Sequence, residues 1–263
     1  MRTISITGGK GGVGKTSIAS GLGIALSQAG HRTVLFDADL ALANLDVVLG
    51  FRSEFNLQHV INEERTLKEI LHDGPGGVKV VTGASGVAGL ASAGPKKLMK
   101  FFSQVFAIEA DTDYLIFDTG SGIDRRIMSF LKASDDIIVV ITPDAASLTD
   151  GYATIKTAFR GNKGARIHVI VNMVDSDVEA YKTFSTLSTI VKQFLKAEIE
   201  FLGAVFSDPI AAKCIRTRKP FMIAAPNCAA SKNLLAVSEK VVSWTPNEER
   251  SFSDRISAIY DVA

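Results

Sequence analysis

The stretch Gly8-Gly9-Lys10-Gly11-Gly12-Val13-Gly14-Lys15-Thr16 decides the fold. It follows the β-branched run Thr3-Ile4-Ser5-Ile6-Thr7 and precedes a segment of helical period, Thr16 to Ala29, that closes at Gly30. Gly9 to Thr16 satisfies the pattern GxxxxGK[ST] in the strand-then-helix setting that its chemistry needs. Glycines let backbone N–H groups turn inward on phosphate oxygens, and the positive end of the following helix assists. On this reading Gly9, Gly11, Gly12, Val13, Gly14 and Ser17 belong to the phosphate cradle. Lys15 bridges the β- and γ-phosphates, and the Thr16 hydroxyl holds Mg²⁺. One lysine suffices for such a loop, so Lys10 stands over, either as surface charge or as a second cation with a purpose.

Outward from the loop the chain alternates. Short apolar, β-branched runs recur at Thr33 to Phe36, Val78 to Thr82, Tyr114 to Phe117, Ile137 to Thr142, Arg166 to Asn172 and Ile199 to Phe206. Between them lie helical periods at Lys96 to Ile108, Ser147 to Phe159, Val178 to Lys196 and Lys232 to Trp244. That order predicts an α/β fold, a mostly parallel sheet covered by helices on both faces. Residues 1–245 form one expected domain, and residues 246–263 a linker with a short amphipathic helix; Gly83 to Gly94 reads as the longest flexible loop. With 263 residues, 46% of them hydrophobic, the chain can bury a sizeable core. Its net charge of +1 excludes a general field toward nucleic acid or anionic lipid. Cys214 and Cys228 form no paired motif, which argues against a metal cluster or disulfide framework and suits a reducing, cytoplasmic compartment. There is neither a secretory leader nor a long apolar run, so a soluble protein is expected.

Carboxylates stand where open α/β sheets bind ligands, at the carboxyl ends of strands. Asp37 and Asp39 follow Val34-Leu35-Phe36, and Asp118 ends Tyr114-Leu115-Ile116-Phe117. The first pair reads as turn chemistry or as ligand chemistry. Asp118 beside a phosphate loop reads as a Mg²⁺ holder.

Taken together, GKGGVGKT and these strand ends resemble the deviant Walker A ATPases of the MinD/ParA family. The resemblance implies ATP and Mg²⁺ as cofactors, a homodimer when ATP is bound, and slow hydrolysis that times partner binding. It assigns Lys10 to the partner subunit's phosphates across the dimer, Asp39 to the attacking water, and Asp37 to the neighbourhood of Mg²⁺. It matches Asn172, Asp208 and Pro209 to the surroundings of adenine, and Thr119-Gly120-Ser121-Gly122-Ile123 to a switch that responds to the γ-phosphate. Within the family, Asp37-Ala38-Asp39-Leu40-Ala41-Leu42-Ala43-Asn44-Leu45-Asp46 with Asn56-Leu57-Gln58-His59-Val60-Ile61 is similar to the flagellar-number regulators FlhG and FleN, as is Ser147-Leu148-Thr149-Asp150-Gly151-Tyr152-Ala153. The implied partners are a flagellar GTPase, a transcription regulator or a flagellar switch-complex protein. Ala41 departs from the usual glycine, and no helix of the kind that stimulates the partner GTPase precedes Thr3.

Two further segments bear on partners. Lys213, Arg216, Arg218 and Lys219 read first as cations complementing a helix end and second as DNA contacts of the ParA type. In the last segment Phe252, Ile256, Ile259 and Tyr260 share a helical face, which the resemblance links to the inner face of the membrane. The segment from Pro246 to Ala263 carries more acidic than basic side chains, so lipid charge would contribute little, and docking on the chain's own domain or on a partner is an equal expectation.

Overall fold

A computed structural model describes residues 1–39, 43–83, 95–122, 124–162, 164–245, 252 and 254–256. Strands β1 (Arg2–Gly8), β2 (Thr33–Ala38), β3 (His72–Asp73), β4 (Lys79–Val81), β5 (Tyr114–Ser121), β6 (Asp136–Ile141), β7 (Arg166–Val174) and β8 (Glu200–Phe206) build one sheet in the order β3-β4-β2-β5-β1-β6-β7-β8. All neighbours are parallel except β3 and β4, so the expected parallel sheet is present with one antiparallel edge. Every run read as a strand is a strand, and the two-residue β3 is the addition, too short to show a period.

The helices are α1 (Lys15–Gln28), α2 (Leu45–Leu49), α3 (Leu57–Ile61), α4 (Pro95–Glu109), α5 (Arg125–Ala133), α6 (Ala145–Gly161), α7 (Asp177–Leu195), α8 (Pro209–Arg216), α9 (Phe221–Ala224) and α10 (Ala229–Ser243). The five expected helices correspond to α1, α4, α6, α7 and α10. The others are mostly a few turns at most and depend on packing more than on a visible period. α3 shows how a short helix is held: Asn56 Oδ1 accepts from Gln58 N at 2.9 Å, and His59 Nδ1 accepts from Asn56 N at 3.2 Å, a reciprocal cap.

Side chains alternate across the central strands, so each face has its own core. Ile4, Ile6, Ile116, Ile138 and Val140 meet α1 and α10 through Ile18, Leu22, Leu234 and Val237. On the opposite face Phe36, Phe117, Phe102 and Phe130 form an aromatic cluster, while Ile137, Val139 and Ile141 pack on α6 and α7. Phe252 and Ile256 of the terminal segment are buried in the aromatic cluster, with Phe252 5.2 Å from the Phe106 ring. Arg255 beside them is itself buried and pairs with Asp135 at 2.5 Å, donating also to Ala133 O and the Thr3 hydroxyl. The two apolar residues of this segment that are described therefore dock on the chain's own domain; Ile259 and Tyr260 lie outside the described residues. So do Leu40 to Leu42, Ile123 and nearly all of the loop from Gly83 to Gly94.

Candidate functional site

β1 lies between β5 and β6, and the chain turns to opposite sides of it, which places residues 9–14 at the point where the strand order reverses. Gly12 at φ 82° and Gly14 at φ 91° hold the left-handed turn that brings the chain into α1. Gly14 is the N-cap, no side chain caps it, and the first turn of α1 holds no acid. The first-turn N–H groups thus stand at a positive helix end with neither a side-chain cap nor an acidic residue in the turn itself among the described residues. Gly9 is needed for contact: a Cβ there would lie 2.6 Å from the Asp150 backbone oxygen. Around Gly11 and Gly12 a Cβ would meet no atom within 4 Å, so this part of the loop is open to solvent.

Lys15 is buried, and its ammonium donates to Lys10 O at 3.2 Å across the loop. Burial lowers its pKa, opposed by the charges of Asp118 and Asp39. Asp37 and Asp118 are register partners on β2 and β5, both almost fully buried. Asp37 accepts from Asp39 N at 3.2 Å and from Asn44 N and Leu45 N at 3.1 Å, so its oxygens already fasten the start of α2. Burial nevertheless pushes its pKa to about 7. Neither oxygen of Asp118 has a hydrogen-bond partner of normal geometry among the described residues. Burial, then the Asp37 charge, push Asp118 to about 8, against the pull of the Thr16 hydroxyl and Lys15. A desolvated carboxylate with open lone pairs, beside a threonine hydroxyl at an uncapped helix end, fits a divalent cation that shares a phosphate. Asp39 lies against the end of β5, its Oδ1 3.1 Å from the point a Gly120 Cβ would occupy.

Lys10 is engaged within its own chain: its ammonium meets Asp144 at 2.9 Å, both side chains being partly exposed. Asp144 caps α6 by accepting from Ser147 N, and it also accepts from the Thr142 hydroxyl at 2.6 Å. These donors, Thr142 before Lys10, hold its carboxyl far below the ordinary range. Nothing in the sequence around Lys10 announces this pair, although Asp144-Ala145-Ala146-Ser147 carries a helix-start signature.

Beside the loop opens a cleft of about 280 Å³, bordered by Gly14, Ser17, Asn172, Phe206, Asp208 and Pro209 among others. Asn172 Nδ2 donates to Val13 O at 2.8 Å and fills the space a Gly14 Cβ would need, so the cleft and the loop are joined. Asp208 spends its carboxylate on structure, accepting from Ile210 N and Ala211 N at the start of α8 and from Ala230 N. Burial works to raise its pKa, but these backbone donors prevail and it is lowered. Asp208 therefore shapes the wall that carries Pro209. Lys213, Arg216, Arg218 and Lys219 are exposed at and beyond the last turn of α8.

A glycine loop between strand and helix, a buried basic group inside it and an open carboxylate on the neighbouring strand define the class: this is a P-loop nucleotide-binding fold. Residues 4–221 match the family model of the CobQ/CobB/MinD/ParA nucleotide binding domain. The chain belongs to that family, whose MinD and ParA members are ATPases. It is 35% identical to the antiactivator FleN of Pseudomonas aeruginosa over 93% of this chain and 87% of that one. It is 34% identical to the flagellum site-determining protein YlxH of Helicobacter pylori, over 91% and 81%. In fold it is similar to the septum site-determining protein MinD of Pyrococcus horikoshii, solved with Mg-ADP, with TM-score 0.78, 23% identity and 92% and 96% of the two chains covered.

Proposed function

We propose that this chain is a MinD-type ATPase that dimerises around ATP and Mg²⁺, hydrolyses slowly, and regulates flagellar number or placement through partner proteins. The observation that carries the reading is the meeting of the uncapped α1 N-terminus, buried Lys15 and the buried Asp118 carboxylate beside the Thr16 hydroxyl at one edge of the sheet. Lys15 and the loop amides bind the β- and γ-phosphates, a task for a desolvated cation held by the loop itself. Thr16 and Asp118 would hold Mg²⁺, with Asp37 near it and fastening the start of α2. When bound, Mg²⁺ would neutralise charge on the phosphate oxygens. Asp39 orients the attacking water, and Lys10 leaves Asp144 to reach the partner subunit's phosphates. Asn172, Pro209 and the backbone around Asp208 flank the base.

The flagellar assignment is supported by the FleN and YlxH relatives, which match across most of the chain. Membrane attachment through Phe252 and Ile256 would require them and Arg255 to leave the core. The test is light scattering of the purified chain in ADP and in ATP, with phosphate release measured in parallel. A dimer confined to ATP, together with altered flagellar counts on deleting the gene in its host, is expected. A monomer in both nucleotides would reject the switch, and unchanged counts would reject the process.

A further inference from the structure

Met173 is not a core residue: half of it is exposed, although it follows directly on the buried, apolar run of β7. Its backbone stands at φ 59°, in the left-handed region that side chains other than glycine seldom adopt. The register explains how it is held there. Asn172 pairs with Val205 and Val174 with the next residue, Phe206, so Met173 is the extra residue of a bulge at the carboxyl end of β7. Both neighbours are fastened, Asn172 by its bond to Val13 O and Val174 through its carbonyl, which accepts from Ser207 N at 2.8 Å. A bulge of this kind re-aims a side chain, and this one sends Met173 into the wall of the cleft. Its Cε lies 3.8 Å from the point a Gly14 Cβ would occupy, against the mouth of the phosphate loop.

Resting on the nucleotide reading of that cleft, we infer that Met173 is a nucleobase-binding residue whose thioether packs on the base beside Asn172. The rest of the cleft suits an apolar occupant, since Ile18, Phe206, Pro209 and Ile215 line it with Met173. A thioether is polarisable and flexible, which suits the face or edge of an aromatic ring. Strained backbone kept at the rim of a ligand cleft is the pattern expected where the fold imposes a position for the sake of a ligand.

The test compares ADP with pyrophosphate, both with Mg²⁺, by calorimetry on the full chain. Met173→Gly removes the thioether at a position where glycine suits the backbone, so the variant should melt no lower than wild type. We expect it to bind ADP about tenfold more weakly and pyrophosphate as before. Met173→Leu, keeping an apolar side chain, should recover most of the loss. In mass-spectrometric footprinting with hydrogen peroxide, ADP and not pyrophosphate should protect the Met173 sulfur. Wild-type ADP affinity in Met173→Gly, or equal oxidation with and without ADP, overturns the inference while leaving the cleft reading in place. A wild-type protein that binds pyrophosphate as tightly as ADP overturns both.

Discussion

Asp118→Asn should make the nucleotide-free protein more stable while removing its use of Mg²⁺. The ordinary carboxyl value is 3.8, and the buried Asp118 is raised to about 8. Between those values the folded chain holds a proton that the unfolded chain has lost, so stability contributed by this group is present at low pH and falls as pH rises. One pKa unit corresponds to about 1.4 kcal/mol, so the full gap amounts to at most about 6 kcal/mol, reached only above pH 8. Asparagine keeps the shape and loses the charge. Urea unfolding of both proteins from pH 5 to pH 8 should therefore show curves that nearly meet in acid and diverge upward, the variant being more stable by at least about 2 kcal/mol at pH 8. Asp37 is present in both proteins, and without the Asp118 charge beside it its own contribution to the slope is smaller in the variant, which adds to the divergence. In calorimetry the same variant should lose the part of its ATP affinity that depends on Mg²⁺. Parallel stability curves, separated by the same amount at every pH, would refute the account of Asp118 as a buried carboxylate kept ready for a cation.

Asp39→Ala should still bind ATP and dimerise, with phosphate release lowered by about 100-fold, and normal turnover would move the water-orienting role elsewhere. Mixed dimers of Lys10→Ala with Asp39→Ala should recover activity if Lys10 acts across the interface, since one composite site then carries both defects and the other neither; verified heterodimers without activity would place Lys10 in its own subunit. Arg255→Ala should lower the unfolding free energy by about 3 kcal/mol, because Asp135 would be left charged and buried, and a midpoint unchanged in urea would show that the terminal segment does not dock as described.

The phosphate loop is legible in the sequence because its chemistry is local. Left-handed turns demand glycine within a few residues, and Lys15 and Thr16 follow the turn directly along the chain. The strands are legible for a similar reason: a strand buried on both faces writes itself as a continuous apolar run, and Asp37 and Asp118 stand directly at the ends of such runs. What those carboxylates do is not legible there. Asp37 and Asp118 differ because backbone N–H groups from the start of α2 fold back onto the first and not the second, and that difference exists only once β2 and β5 are neighbours.

The terminal segment makes the same point more sharply, since its period announces an apolar face without saying what covers it. Arg255 finds Asp135 across 120 positions of sequence, and Phe252 finds Phe106. Met173 passes unremarked after Asn172, because a bulge arises from the register between β7 and β8 and leaves no mark on either strand alone. Residue type, spacing and period determine the elements, the loop and the ligand edge, since each depends on backbone conformation over a few residues. Desolvation, register and the partners of buried charges depend on atoms brought from distant parts of the chain, so only the folded sheet decides them.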